Sequence, residues 1–299
     1  MYCMFEVLHN WEMGLLEALQ HFRTPSRDYF FTLLDFYDSD RFYFLLLPVV
    51  WAFCGRRWGW RLMYLILLSA IINIDAKNFF AQPRPSHVNP ALGLVQTSSY
   101  GFPSGAAQSH MILAGFGILA MPRLMPTLFF IFTLSLISFS RLYLGVHFLT
   151  DVIGGWVIGL VLVLGYALYH ERLEKWAAAL SAKKALFFSF IIPCMLLLIH
   201  PILKNIIYTS MMLGINIGLW LSCYASGSCM KPLFSISRKL LYIAIAIPSM
   251  FLLTKGAAIL SKQLAHSSAT SLIFATTYAI LGIWLSWGIE RLLSCIPQK

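Results

Sequence analysis

Three short polar segments interrupt an apolar chain, and between them they hold the side chains able to act on a phosphate. KNFFAQPRP carries Lys77 and Arg84, with Pro85 as a helix stop. GFPSGAAQSHM is a turn of Pro103, Ser104 and Gly105 that opens onto small residues. SRLYLGVHFLTD carries Ser140, Arg141, His147 and Asp151. Guanidinium groups bind phosphate through paired hydrogen bonds, and a lysine acts as a point charge. The N–H groups opening a helix at Ser104–Gly105 add positive potential for an anion. His147 and Asp151 stand four residues apart, so on a helix they share a face, about 6 Å apart along the axis. A carboxylate placed there holds one ring nitrogen, fixes the tautomer and leaves the other nitrogen free to attack.

Each segment by itself has a plainer reading. A cation flanking an apolar run is usually a topology anchor, an i,i+4 His–Asp pair is often structural, and Pro-Ser-Gly turns are common. Cations next to lipid are nevertheless expensive without a function, and all three segments fall at matching depth on one expected side.

The elements that must position these groups are membrane helices. The chain has 299 residues, of which 59% are hydrophobic and 11% charged, a composition far too apolar for a soluble domain of this length. Nine apolar runs are expected as spans, at 42–54, 62–80, 105–121, 124–139, 152–170, 186–199, 206–221, 240–253 and 271–289. The first can be drawn back through DYFFTLLDFY. The architecture expected is an all-α polytopic bundle: an amphipathic interfacial segment over 1–41, a six-span core over 42–204, and additional C-terminal helices over 205–299. The opening residues read as an amphipathic helix anchored by Trp11, lying at the interface or packed on the bundle, with no cleavable signal pattern.

Of the 22 Lys and Arg residues, thirteen fall on one side of the bundle. Six fall on the other once Lys77, Arg84 and Arg141 are set aside, so the three polar segments are expected on the non-cytoplasmic side. The formal charge of +10 lies between apolar spans, without a basic stripe interleaved with aromatics, and gives no sign of a nucleic-acid partner. The six cysteines lack metal-ligand spacing, with Cys223 and Cys229 the one pair close enough in sequence to bridge.

These residues resemble the three motifs of the type 2 phosphatidic acid phosphatase superfamily, K-x6-R-P, P-S-G-H and S-R-x5-H-x3-D. Lys77, Arg84 and Pro85 match the first, and Ser140, Arg141, His147 and Asp151 match the third throughout. The second reads Pro103, Ser104, Gly105 and then Ala106 in place of histidine. The resemblance implies a metal-independent lipid phosphate phosphatase working through a phosphohistidine on His147, which Asp151 orients. Lys77, Arg84 and Arg141 would hold the phosphoryl oxygens, helped by Ser104 and the backbone at Gly105. No cofactor is implied. Between Asp75 and Glu171 the only acidic residue is Asp151, which disfavours a Mg²⁺ site. The implied partners are the bilayer and a phospholipid, polyprenyl or sphingoid-base phosphate or diphosphate; a soluble sugar phosphate also fits.

The departure at Ala106 falls on the residue that protonates the leaving oxygen in that family. His110 lies one turn further along and reads as a buried, hydrogen-bonded histidine. Loss of a general acid costs about 10²–10⁴-fold, so the chain is expected to be weakly active or inactive, on monoesters most of all. Either a natural variant or a His→Ala replacement accounts for Ala106, and the completeness of the other motif positions favours replacement. Two rivals share the motifs: a phosphotransferase with an acceptor other than water, and a non-catalytic lipid-phosphate binder or transporter. Asp75, His87, His170 and His200 have structural or interfacial readings.

Overall fold

The computed structural model describes residues 2–225, 235–264 and 267–296. Cys229 lies outside them, and with it the Cys223–Cys229 pair, as do Lys231 and Lys299. Among the described residues the regular elements are helical throughout. In chain order they are α1 (Tyr2–Gln20), α2 (Pro25–Leu34), α3 (Asp40–Cys54), α4 (Arg56–Phe80), α5 (Pro85–Val88) and α6 (Gly105–Ala120). There follow α7 (Leu124–Tyr143), α8 (Leu149–Ala178), α9 (Ala182–Ile199), α10 (Leu203–Trp220), α11 (Ile236–Leu264), α12 (Ser267–Ile283) and α13 (Ile289–Ser294). Each of the nine apolar runs falls on one helix or its direct continuation. Among the described residues seven stretches are long and apolar enough to cross a bilayer, so of the nine expected spans those on α3, 15 residues long, and α6, a shorter apolar helix, are not among them. The protein is a multi-pass membrane protein.

The segment before the first apolar run is not a backward extension of α3. Thr24 caps α2 by accepting from the Arg27 N–H, and Pro25 takes the first helical position, where its missing donor costs nothing. A 3-10 turn, Asp35–Asp38, then ends α2, and Ser39 is extended, so α3 starts afresh at Asp40.

The chain forms two compact units, one of residues 1–42 and 72–169, the other of 43–71 and 170–299. In the second unit α10 packs against α9 and α12, and α11 against α12 and α13. Its polar anchors are ionic: Arg61 grips Glu174 through Nε at 2.6 Å and Nη2 at 2.7 Å, Arg57 Nη2 reaches the same carboxylate at 2.7 Å, and Trp51 Nε1 donates to buried Glu290 at 2.9 Å.

The first unit holds all three polar segments. Here α7 packs against α6, α1 and α2. α8 lies so close to the start of α6 that a Cβ on Gly155 would stand 2.6 Å from the Ser104 carbonyl oxygen, so only glycine permits this approach. Glu12, buried on α1, accepts from the Thr150 N–H at 2.6 Å and from its hydroxyl at 3.1 Å, anchoring the first turn of α8. Arg23 donates to the carbonyls of Leu92 and Tyr143, at 2.6 and 2.9 Å. The N-terminal helices thus pack on the unit that carries the polar segments.

Candidate active site

The third segment supplies the centre. α7 ends at Tyr143, Gly145 turns the chain at φ +67°, and α8 begins at Leu149, leaving His147 on the connection. A side chain on Gly145 would also strike the Leu92 carbonyl. His147 and Asp151 are therefore not two positions of one helix face. Asp151 sits in the first turn of α8 and bends back: its Oδ2 accepts from the Phe148 N–H at 2.9 Å and from His147 Nδ1 at 3.1 Å. The carboxylate thus caps the helix that it opens and holds the ring. Both residues are buried.

The other ring nitrogen meets Arg84. Nη1 of Arg84 lies 3.1 Å from His147 Nε2, and it donates to the Val146 carbonyl at 2.9 Å. A guanidinium can only donate and a carboxylate only accepts. The tautomer is fixed from both sides: the proton is on Nδ1 and the lone pair on Nε2. Burial lowers the ring's pKa well below its ordinary value, and the charges of Arg84, Lys77 and Arg141 lower it further. The ring is neutral, with its lone pair facing a guanidinium.

The first segment delivers Arg84 at the N-cap of α5; Pro85 is not the expected helix stop, because α4 has already ended at Phe80 and Pro85 takes the first turn of α5, where its missing donor costs nothing. Ser99 aims the side chain, accepting from Arg84 Nε through its carbonyl at 2.7 Å and from Nη2 through its hydroxyl at 2.9 Å. Lys77, in the last turn of α4, donates to the carbonyls of Tyr100 at 2.7 Å and Gly101 at 3.0 Å. Both cations therefore brace the loop that leads into α6.

The second segment opens α6. Ser104 is fully buried; its hydroxyl accepts from the Ala107 N–H, and its own N–H donates to the Asp151 carbonyl at 2.9 Å. Its contribution to an anion site passes through the helix N-terminus that it fixes. Gly105 lies against Asn73, whose amide donates to the Pro103 carbonyl at 3.2 Å and to the Gln108 side chain at 2.9 Å. Ala106 is fully buried and packs in an apolar cluster with Leu34 and Ile137. His110 bonds through Nδ1 to the Ala106 carbonyl at 2.9 Å, with its ring against Tyr37 and Phe42. His87 is bonded to the Thr97 carbonyl in the loop that precedes α6.

Arg141 completes the ring of cations and brings in residues the sequence reading missed. It is 1% exposed; Nε donates to Ser140 Oγ at 3.1 Å, and Nη1 reaches Asp35 at 2.7 Å and Asp38 at 3.5 Å. Among the described residues its buried Nη2 has no hydrogen-bond partner. An orphaned guanidinium nitrogen beside an unprotonated imidazole is suited to a phosphoryl oxygen. The available signal for the two aspartates was their placement in the otherwise apolar stretch DYFFTLLDFYD. Among the described residues no group of three or more His, Cys, Asp or Glu side chains is arranged to hold a metal ion.

Residues 58–175 match the PAP2 superfamily. The chain is 34% identical over 114 residues to the lipid A 4'-phosphatase of Porphyromonas gingivalis, covering 34% of this chain and 47% of that protein. It is 31% identical over 134 residues to phosphatidylglycerophosphatase B of Bacillus subtilis, covering 42% and 64% respectively. The chain thus spans about half to two thirds of the length of these curated relatives. Among solved structures, Aquifex aeolicus LpxE aligns with a TM-score of 0.47 at 28% identity, over 52% of this chain and 94% of that one. The Lys77–Arg84, Pro103–Gly105 and Arg141–Asp151 segments all lie within the stretch that matches the PAP2 superfamily.

Proposed function

We propose that this chain is a membrane lipid phosphate phosphatase that forms a phosphohistidine on His147. One observation carries the reading: the lone pair of His147 Nε2, fixed by Asp151 on the opposite nitrogen, lies 3.1 Å from Arg84 inside a ring of cations. Substrate phosphate displaces the Arg84–Nε2 contact and takes hydrogen bonds from Arg84 and from the orphaned Nη2 of Arg141. Lys77 adds a point charge, and the N-terminus of α6 adds partial positive charge. Nε2 attacks phosphorus, and these fixed donors stabilise the charge that builds on the equatorial oxygens. Water then cleaves the phosphohistidine. A site at the ends of apolar helices fits an amphiphile whose chain remains in lipid, so we assign lipid monophosphates and diphosphates as the substrate class, entering from the non-cytoplasmic side.

Ala106 offers the leaving oxygen no proton. With α6 as the sole source of a general acid, diphosphates, whose leaving group is phosphate, would react well and alkyl monoesters poorly. The test is phosphate release from phosphatidic acid and from a polyprenyl diphosphate, each in mixed micelles, by the parent chain and by His147→Asn. Release from at least one lipid by the parent, abolished in the variant, is expected. Undiminished release by His147→Asn would overturn the assignment.

A further inference from the structure

Position 106, which lacks a proton donor, is covered by the end of α2. Leu34 packs against Ala106, and Tyr37 and Phe42 pack against His110, so the stretch 34–42 covers the face of α6 on which position 106 lies. That stretch contains the 3-10 turn Asp35–Asp38, whose two carboxylates are three residues apart and therefore project together. Both reach Arg141, the arginine whose other nitrogen is buried without a partner among the described residues.

The two are not equivalent. Asp35 is committed to Arg141 at 2.7 Å, whereas Asp38 stands off at 3.5 Å. The charged groups acting on Asp38 are Arg141 from α7, Lys77 from α4, Arg84 at the start of α5, and Asp35 on its own turn; from α6 the facing titratable group is His110, through Tyr37. Asp35 and Asp38 each keep 38% of their side-chain exposure, so it is the distance to Arg141 that tells them apart. The surrounding protein raises the Asp38 carboxyl above the ordinary range, opposed by Arg141, reinforced by Asp35 and opposed again by Lys77 and Arg84. A bound phosphate would engage those three cations and further favour the protonated acid.

We propose that Asp38 is the general acid of this enzyme, delivering from the N-terminal turn the proton that position 106 cannot supply. The inference rests on the phosphohistidine reading above. In the first step His147 Nε2 bonds to phosphorus, the phosphorus–ester oxygen bond breaks, and the departing oxygen takes the Asp38 proton and leaves as an alcohol. In the second step water bonds to phosphorus, the phosphorus–nitrogen bond breaks with its electron pair returning to Nε2, and the water proton passes to the Asp38 carboxylate. Phosphate leaves and Asp38 is again protonated.

The experiment compares two leaving groups. Phosphatidic acid in mixed micelles needs a proton on departure; 4-nitrophenyl phosphate does not. Asp38→Asn should lower kcat/KM, which reports phosphohistidine formation, on phosphatidic acid by about 10²–10⁴-fold while keeping kcat/KM on 4-nitrophenyl phosphate within several-fold, which also shows that the variant is folded. Asp38→Glu should retain turnover of both substrates. Asp38→Asn combined with Ala106→His should regain turnover of the lipid, whereas Asp35→Asn should affect both substrates alike. Lipid turnover by Asp38→Asn at or above the parent rate would overturn the proposal, the carboxylate then being idle or obstructive. Equal loss of kcat/KM on both substrates would also overturn it, leaving Asp38 as a positioning group for Arg141. His147→Asn separates the two readings: if it keeps activity on either substrate, the nucleophile is wrong, and if it is silent while Asp38→Asn is unchanged, only the acid is wrong.

Discussion

Replacing Asp151 by asparagine tests whether the carboxylate acts by orienting His147. In the structure a single oxygen, Oδ2, takes both hydrogen bonds, from Phe148 N–H and from His147 Nδ1, while Oδ1 has no partner among the described residues. The backbone N–H of Phe148 cannot reverse its polarity, so the amide oxygen of the new side chain must occupy the Oδ2 position and its amino group the Oδ1 position. The ring therefore keeps its tautomer and loses only the charge opposite it. A hydrogen bond to a charged partner contributes about 1.5–3 kcal/mol and a neutral one about 0.5–1.5. The difference, about 1–2 kcal/mol, corresponds to about 5–30-fold in the rate of phosphohistidine formation. The assay is single-turnover labelling with a ³²P-lipid phosphate under alkaline quench, which preserves phosphohistidine. A rate equal to the parent would refute the role of the charge. A loss near 10⁴-fold, the signature of an inverted tautomer, would refute the placement of the amide oxygen.

The acid limb of kcat/KM, corrected for substrate ionisation, should lie below pH 6.5, because burial and then Arg84, Lys77 and Arg141 lower the pKa of the ring that must attack as the free base. A limb at or above 6.5 would contradict that environment. By the same linkage the unfolded chain takes up a proton near pH 6.5 that the folded ring refuses, so this residue's contribution to stability falls as pH drops below that value. Glu12→Ala should lower folding stability by about 1–3 kcal/mol, since it strips the partner from the Thr150 N–H and hydroxyl at the start of α8. Thermal unfolding in detergent reads this, and an unchanged midpoint would show that α1 does not anchor the helix.

Much of the candidate site can be read along the chain because its signals are local. Ser104 caps α6, and the spacing of His147 and Asp151 places a carboxylate within reach of the ring, whereas Pro85, expected as a helix stop, opens α5 after α4 has already ended at Phe80. One local inference carried the wrong picture: four-residue spacing suggested one helix face, whereas His147 precedes α8 and Asp151 folds back over its first turn. The capping bond to Phe148 explains the difference, because a carboxylate in the first turn of a helix satisfies an orphan N–H behind it.

Apolar runs and motif spacings are properties of neighbouring residues, and they were enough to dictate an all-helical membrane chain and to single out which cations and which imidazole could serve a phosphate. Long-range packing had to settle the rest: that Arg84 faces the lone pair of a histidine 63 positions away, that Arg141 is shared with Asp35 from 106 positions upstream, and that Glu12 holds a turn 138 positions downstream. No periodicity encodes these pairs. The two acidic pairs exist because α1 and α2 pack on α7, bringing acidic side chains over the helix ends where the positive charge is gathered.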